Sequence, residues 1–377
     1  MTTDNRDPWL LTPGPLTTSL TVKQAMLHDW GSRDTRFIEM TARIRSSVLA
    51  LAGGEGTHVA VPLQGSGTFI VEATIATLLP RDGKLLVLVN GAYGHRMVKM
   101  CKYLDRACEF LEWAEDVPVN PAEVVARLEQ DKSITHVAVV HCETTSGILN
   151  PLSKIAEVVA AQNRSLLIDT MSAFGALPVD AREIHFDALM ASSNKCLEGA
   201  PGVGFAVIRQ SVLEKTAGNS HSLSLDLYEQ WKALEANGQW RFTPPTHVLA
   251  ALDVAIAEHH AEGGVAGRGA RYADNCRILI DGMREMGFET LLPDSLQAPI
   301  IITFHMPEDP AFDFGKFYDR LAAMGFVIYP GKLTVAPSFR VGCIGRLGAD
   351  EMRGALAAVK TVITEMGVTR LGPPKAA

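Results

Sequence analysis

The sequence has no excess of positive charge, no long apolar run, no paired cysteines and no internal repeat, and each absence removes a class of function. With 35 Lys and Arg against 42 Asp and Glu, the formal net charge is −7. Such a chain carries no basic stripe of the kind that tracks nucleic acid. No apolar stretch reaches the ~18–20 residues that cross a bilayer, and Met1–Asp7 lacks the apolar core of a signal peptide. Six cysteines (Cys101, Cys108, Cys142, Cys196, Cys276 and Cys343) include no CxxC pair and no dense framework. Reduced thiols in a cytoplasmic protein are the reading they support. The pair His259-His260 is no metal site, because adjacent helical residues project about 100° apart. Both are read as surface residues.

What is present is an ordinary globular composition, 47% hydrophobic and 20% charged, over 377 residues. That length favours two domains over one small core. From Ser19 to Ile208, apolar strands alternate with amphipathic helices. The candidate strands are Leu85–Asn90, His136–His141, Leu166–Asp169, Ala188–Ala191 and Val203–Ile208, with helices such as Pro121–Asp131 and Leu152–Asn163 between them. Leu152, Ile155, Ala156, Val159 and Ala160 form one apolar stripe at helical spacing. Strand–helix alternation of this kind predicts an α/β fold around a mostly parallel sheet covered on both faces. After Pro244-Pro245 the texture changes to a helix over Thr246–Ala261, the break Gly263-Gly264, a second helix to Met286 and a small α/β unit. The expected division is residues 17–250 for a large domain, and 1–16 with 251–377 for a small one. Pro373-Pro374 reads as part of a loose tail.

Three motifs carry chemistry. Lys195 sits in Ser192-Ser193-Asn194-Lys195-Cys196-Leu197-Glu198-Gly199, a small polar turn between two apolar strands. An ammonium between core strands is costly unless it has work to do, and desolvation frees its amine as a nucleophile for a Schiff base. Asp169 ends the apolar run Leu166–Ile168, at the strand end where open α/β sheets place ligand contacts. A carboxylate there keeps a pyridine nitrogen protonated. Upstream, Gln64-Gly65-Ser66-Gly67-Thr68 opens a helix whose free N–H groups suit a phosphate monoester. Cup, carboxylate and lysine together point to pyridoxal 5′-phosphate.

Leu11-Thr12-Pro13-Gly14-Pro15, Gly65-Ser66-Gly67-Thr68, Asp169 and Ser193-Asn194-Lys195 resemble the class V aminotransferases of the fold type I pyridoxal-phosphate superfamily. The resemblance runs from about Leu10 to Val368. Leu27–Asp34, His141–Pro151 and Lys195–Gly199 resemble, within that class, the branch that passes the amine of 2-aminoethylphosphonate to pyruvate. The resemblance implies a large domain with a mostly parallel seven-stranded sheet, a smaller C-terminal α/β domain, and a homodimer with its active site at the subunit interface. It implies that Lys195 carries the cofactor and moves the proton, and that Asp169 pairs with the ring nitrogen. Ser66, Gly67 and Thr68 hold the phosphate, Tyr93 stacks on the ring, and Thr145 bonds near the ring oxygen. Thr243, in Arg241-Phe242-Thr243-Pro244-Pro245, reaches the phosphate of the neighbouring subunit. Arg340 is the substrate's anion clamp, its planar fork serving a phosphonate and a carboxylate in turn.

Other readings share parts of this pattern. Another class V transaminase, using alanine or serine with glyoxylate, would need the same lysine, aspartate and arginine. A desulfurase needs a nucleophilic cysteine on a mobile loop, whereas Cys343 lies on an apparent strand. A scaffold has no physical need of Lys195, Asp169 and Arg340 together. Cys196 reads as a small residue filling a packed turn, and Glu198 is left without a role.

Overall fold

The structure, a computed structural model, describes residues 7–333 and 336–372; the tail read at Pro373-Pro374 lies outside the described residues. The chain opens with β1 (Trp9–Leu10), α1 (Leu20–Ala25) and α2 (Thr35–Leu51), then enters an alternating unit. This runs β2 (His58–Gln64), α3 (Gly67–Leu78), β3 (Lys84–Val89), α4 (Ala92–Tyr103), β4 (Ala107–Glu112), α5 (Pro121–Gln130) and β5 (Ile134–Val140). A hairpin of β6 (Cys142–Glu143) and β7 (Ile148–Leu149) follows, then α6 (Leu152–Ala161), β8 (Ser165–Asp169), β9 (Ala188–Ser192) and β10 (Val203–Arg209). Helices α7 (Gln210–Leu213), α8 (Leu227–Asn237), α9 (Thr246–Ala261) and α10 (Gly264–Met286) lead to the C-terminal unit. That unit is β11 (Ile301–His305), α11 (Phe314–Ala323), β12 (Phe326–Val327), β13 (Tyr329–Pro330), β14 (Ser338–Gly342) and α12 (Ala349–Glu365).

The large sheet has seven strands in the order β2-β10-β9-β8-β5-β3-β4. Pairings from β9 through to β4 are parallel, while β10 runs antiparallel to both its neighbours. Its central strands are apolar without interruption because both faces are covered. Leu86 and Leu88 of β3 point into a core with Ile44, Val124, Ile155 and Leu252 from α2, α5, α6 and α9. Leu85 and Val87, one residue out of phase, join Ile75, Met97 and Trp231 from α3, α4 and α8 on the other face.

The sheet β11-β14-β13 carries the second core, with Phe288, Phe304, Phe317 and Phe339 packed together and Phe304 stacked on Phe339 at 5.6 Å. Strand β1 belongs here as well, paired in parallel with β12. Helix α9 runs straight through residue 250, and Leu249, Leu252 and Ile256 belong to the large-sheet core. The change of core follows Gly263 and Gly264, whose φ values of 99° and 67° turn the chain between α9 and α10. Among the described residues no helix is long and apolar enough to cross a membrane.

Candidate active site

The parallel strands end on one side of the large sheet, and the loops leaving them build a cavity of about 180 Å³. Asp169 is the last residue of β8, is buried, and lies on the cavity wall. Its Oδ1 accepts the Met171 N–H at 2.8 Å. Burial raises its carboxyl to about 6, with Lys195 and Arg96 pulling the other way. Burial therefore makes its charge costly, and a cation facing it would relieve that cost.

Lys195 follows β9 in a tight loop closed by Glu198 N–H to Lys195 O (2.7 Å) and Gly199 N–H to Ser193 O (2.8 Å). Its ammonium lines the cavity and donates to the Pro13 carbonyl at 2.5 Å. Burial lowers its pKa to about 8, so a usable share is free amine near neutral pH. The N-terminal segment lies directly against this amine. A Cβ on Gly14, which has φ of 117°, would stand 2.7 Å from Lys195 Nζ.

The loop after β2 supplies the third wall. Ser66 is the N-cap of α3 but makes no side-chain cap. The first bonds into the turn come from Phe69 and Ile70 to the Ser66 carbonyl, which leaves the Gly67 and Thr68 N–H groups at the open helix end. Ser66, Gly67 and Thr68 all line the cavity. Thr68 Oγ1 accepts from Arg96 Nη1 at 3.1 Å. Among the described residues the Ser192 hydroxyl, which lines the same cavity, is buried without a partner.

Tyr93 lies on the wall as the second residue of α4. The structure does not bring Thr145 there. Thr145 is fully buried, donating its hydroxyl to Glu143 Oε1 (2.7 Å) and accepting the Ala92 N–H (2.9 Å), so it caps α4. Thr144, one residue earlier in the β6–β7 turn, is the wall residue. Arg340 sits one layer behind it. It is buried, donates Nη1 to the Thr144 carbonyl at 2.7 Å, and donates Nε and Nη2 to the Pro330 carbonyl. Three of its five N–H groups are thereby used. Thr243 is exposed and is not among the residues lining its own chain's cavity.

Sequence reasoning passed over Arg96, Glu143, Thr144 and Lys332. Glu143 is wholly buried, accepts from Tyr93 N–H and Thr145 N–H, and has its carboxyl raised by that burial. Gly91 is required beside it, since a Cβ there would lie 2.5 Å from the Glu143 side chain. His259 is not a surface residue. It is fully buried, with Nε2 2.6 Å from the Gly175 carbonyl, because its side of α9 faces the sheet. Among the described residues no group of three or more metal-ligating side chains occurs. Cys196 fills its turn as read, and Cys343 is a buried thiol that burial keeps protonated.

The family model described as aminotransferase class-V matches residues 23–342. The chain belongs to the class V aminotransferases. A protein of Pseudomonas fluorescens named 2-aminoethylphosphonate–pyruvate transaminase is 56% identical, over 96% of this chain and 98% of its own length. One of Pseudomonas aeruginosa with the same name is 53% identical, over 98% of this chain and 100% of its own. Among solved structures, an alanine–glyoxylate aminotransferase from Nostoc superposes with a TM-score of 0.89 at 23% identity, covering 96% of this chain and 97% of its own. The ureidoglycine–glyoxylate aminotransferase of Bacillus subtilis gives 0.88 at 21%, covering 97% and 95%. These two show the shared fold.

Class V aminotransferases use pyridoxal 5′-phosphate, and the residues present fit it. An uncapped helix end and, in the same cavity, a buried hydroxyl without a partner among the described residues suit a phosphate. A buried carboxyl on the cavity lining suits a ring N–H, and a desolvated lysine suits an aldehyde carbon.

Proposed function

We propose that this chain transfers the amino group of 2-aminoethylphosphonate to pyruvate, giving phosphonoacetaldehyde and L-alanine, as a cytoplasmic homodimer without nucleic-acid or membrane partners. The observation that carries this reading is 53–56% sequence identity, over nearly the full length, to proteins named for that reaction. When bound, pyridoxal 5′-phosphate supplies an electron sink for the carbon from which a proton is removed. The chain's own residues do the rest. Ser66, Gly67 and Thr68 hold the phosphate through the α3 terminus, with Arg96 bonded to Thr68 beside them. Asp169, ionised opposite a ring N–H, fixes that proton in place. Tyr93 provides a flat face for the ring. Lys195 is the residue whose amine would hold the aldehyde group, and its Nζ, on the cavity wall, would be placed to take up and return a proton. Arg340 keeps two N–H groups for the anionic end of either substrate.

The proposed division is a cofactor domain extending through α9 and a small domain that begins at Gly264 and takes in the N-terminal segment. It places the boundary at the double glycine instead of within a helix. Thr243, exposed and not part of its own cavity's lining, is proposed to serve the phosphate site of the second subunit.

The test is a single half-reaction on the yellow protein without keto acid. Addition of 2-aminoethylphosphonate and, separately, of L-alanine is expected to bleach the visible band. Bleaching by L-alanine or L-serine but not by the phosphonate would move the chain to another class V transamination.

A further inference from the structure

Two cations flank Tyr93, and a third, Arg340, lies near Lys332 and over the Tyr329 ring. Arg96 Cζ lies 4.7 Å from the ring centroid and Lys332 Nζ 6.0 Å from it. Arg340 is bonded to carbonyl oxygens only. Among the described residues none of the three forms an ion pair with a carboxylate. Burial, with Arg340 and Arg96 close by, draws the Lys332 ammonium below its ordinary value. Lys332 shares an outer cavity with Glu112 and Glu115, but Glu112 is held by His95 at 2.9 Å. Like charges gathered in this way are costly until an anion arrives.

The three are not equivalent. Arg96 is tied to Thr68 and so belongs to the phosphate end. Lys332 and Arg340 both come from the small domain, and Arg340 grips the carbonyl of Pro330, two residues before Lys332. They are therefore carried as one piece. A guanidinium fork meets two oxygens of an anion in its plane. A carboxylate is then satisfied. A phosphonate keeps a third oxygen out of that plane and, like a phosphate monoester, close to a second negative charge. A compact ammonium on a flexible stem matches that remainder.

We propose that Lys332 is the second cation of the substrate-anion site and the residue that favours a phosphonate over a carboxylate there. The proposal rests on 2-aminoethylphosphonate being the amino donor.

The test uses the wild-type holoenzyme with Lys332→Gln and Lys332→Arg. Half-reactions with 2-aminoethylphosphonate and with L-alanine are titrated through the visible band. Binding of the unreactive anions methylphosphonate and acetate is measured by calorimetry. Lys332→Gln is expected to raise the half-saturating phosphonate concentration and the methylphosphonate Kd by roughly three- to tenfold. The change for L-alanine and acetate should be at most about a third as large, since one charge needs one partner. Lys332→Arg should recover most of the loss. Equal shifts for both kinds of anion, or no shift, overturn the role of Lys332 and leave the transaminase reading intact. A wild-type enzyme bleached by L-alanine but not by 2-aminoethylphosphonate overturns the substrate and this proposal together.

Discussion

At the scale of single residues, Asp169 and Lys195 are both held against their own charge. Asp169 has an ordinary pKa of 3.8 and about 6 in the fold without cofactor, raised by burial. A carboxyl raised in this way favours folding in its neutral form. Its contribution is intact below pH 3.8 and is lost as pH rises through about 6. Asp169→Asn removes the charge and keeps an acceptor for Met171 N–H. The cofactor-free variant should therefore be more stable than wild type at pH 7.5 by about 2–3 kcal/mol, with the gain vanishing towards pH 4. Urea unfolding of cofactor-free protein at both values checks this. Cofactor affinity should move the opposite way, and a variant weaker on both counts would mean that Asp169 is structural. Lys195→Ala should abolish turnover and the visible band; a variant that keeps turning over would sink the assignment of that residue.

At the scale of elements, the lysine loop is clamped from below by α10. Glu198, with φ of 60°, accepts from Tyr272 Oη (2.6 Å) and Arg271 Nη2 (2.7 Å), while Arg268 Nη1 reaches the Cys196 carbonyl (2.5 Å). Arg271 also binds the Gly345 and Leu347 carbonyls, just beyond the strand bearing Arg340. Positions 268, 271 and 272 share one helix face. Glu198→Gln should cost about 1 kcal/mol, because Arg268 and Arg271 keep their ion pairs with Glu262 at 2.6 Å each and lose only the charge of the second partner. Tyr272→Phe should cost about 1 kcal/mol. The double variant should lose less than the sum, since both act on one oxygen. Strict additivity in denaturant unfolding would show the contacts to be independent. This network was not legible in the sequence: Glu198 needed α10, some 70 residues on, to acquire its partners. The edge strands β2 and β4 were missed for a related reason. The first contains Pro62, and the second alternates apolar with charged and exposed residues, so neither has the unbroken apolar run of the central strands. What the sequence did display were groups whose chemistry conflicts with their neighbours: Lys195 between core strands, Asp169 ending an apolar one, and a glycine-rich helix start. Periodicity does not show the β6–β7 turn, which sets Thr144 on the cavity wall and Thr145 behind it.

At the scale of the molecule, Asp169, Lys195 and the phosphate cup come from the large sheet, while Arg340 and Lys332 come from the small one. Thr243 comes from neither wall. It is exposed, and its neighbour Phe242 is 49% exposed with Arg241 5.0 Å from its ring centre. Pro244 and Pro245 stiffen the segment, which is tied back at Arg241 to Gln230 and the Leu223 carbonyl while Phe242 and Thr243 stay exposed. A second copy is the economical explanation. Sedimentation should then give twice the chain mass of 40.7 kDa. Phe242→Asp, which sets a charge on the apolar part of that arm, should shift the protein towards monomer. If Thr243 completes the neighbouring phosphate site, the monomer should also lose cofactor on dialysis while its far-ultraviolet dichroism is unchanged. A monomer that retains cofactor would separate assembly from phosphate binding. A variant that stays dimeric would remove the arm from the interface.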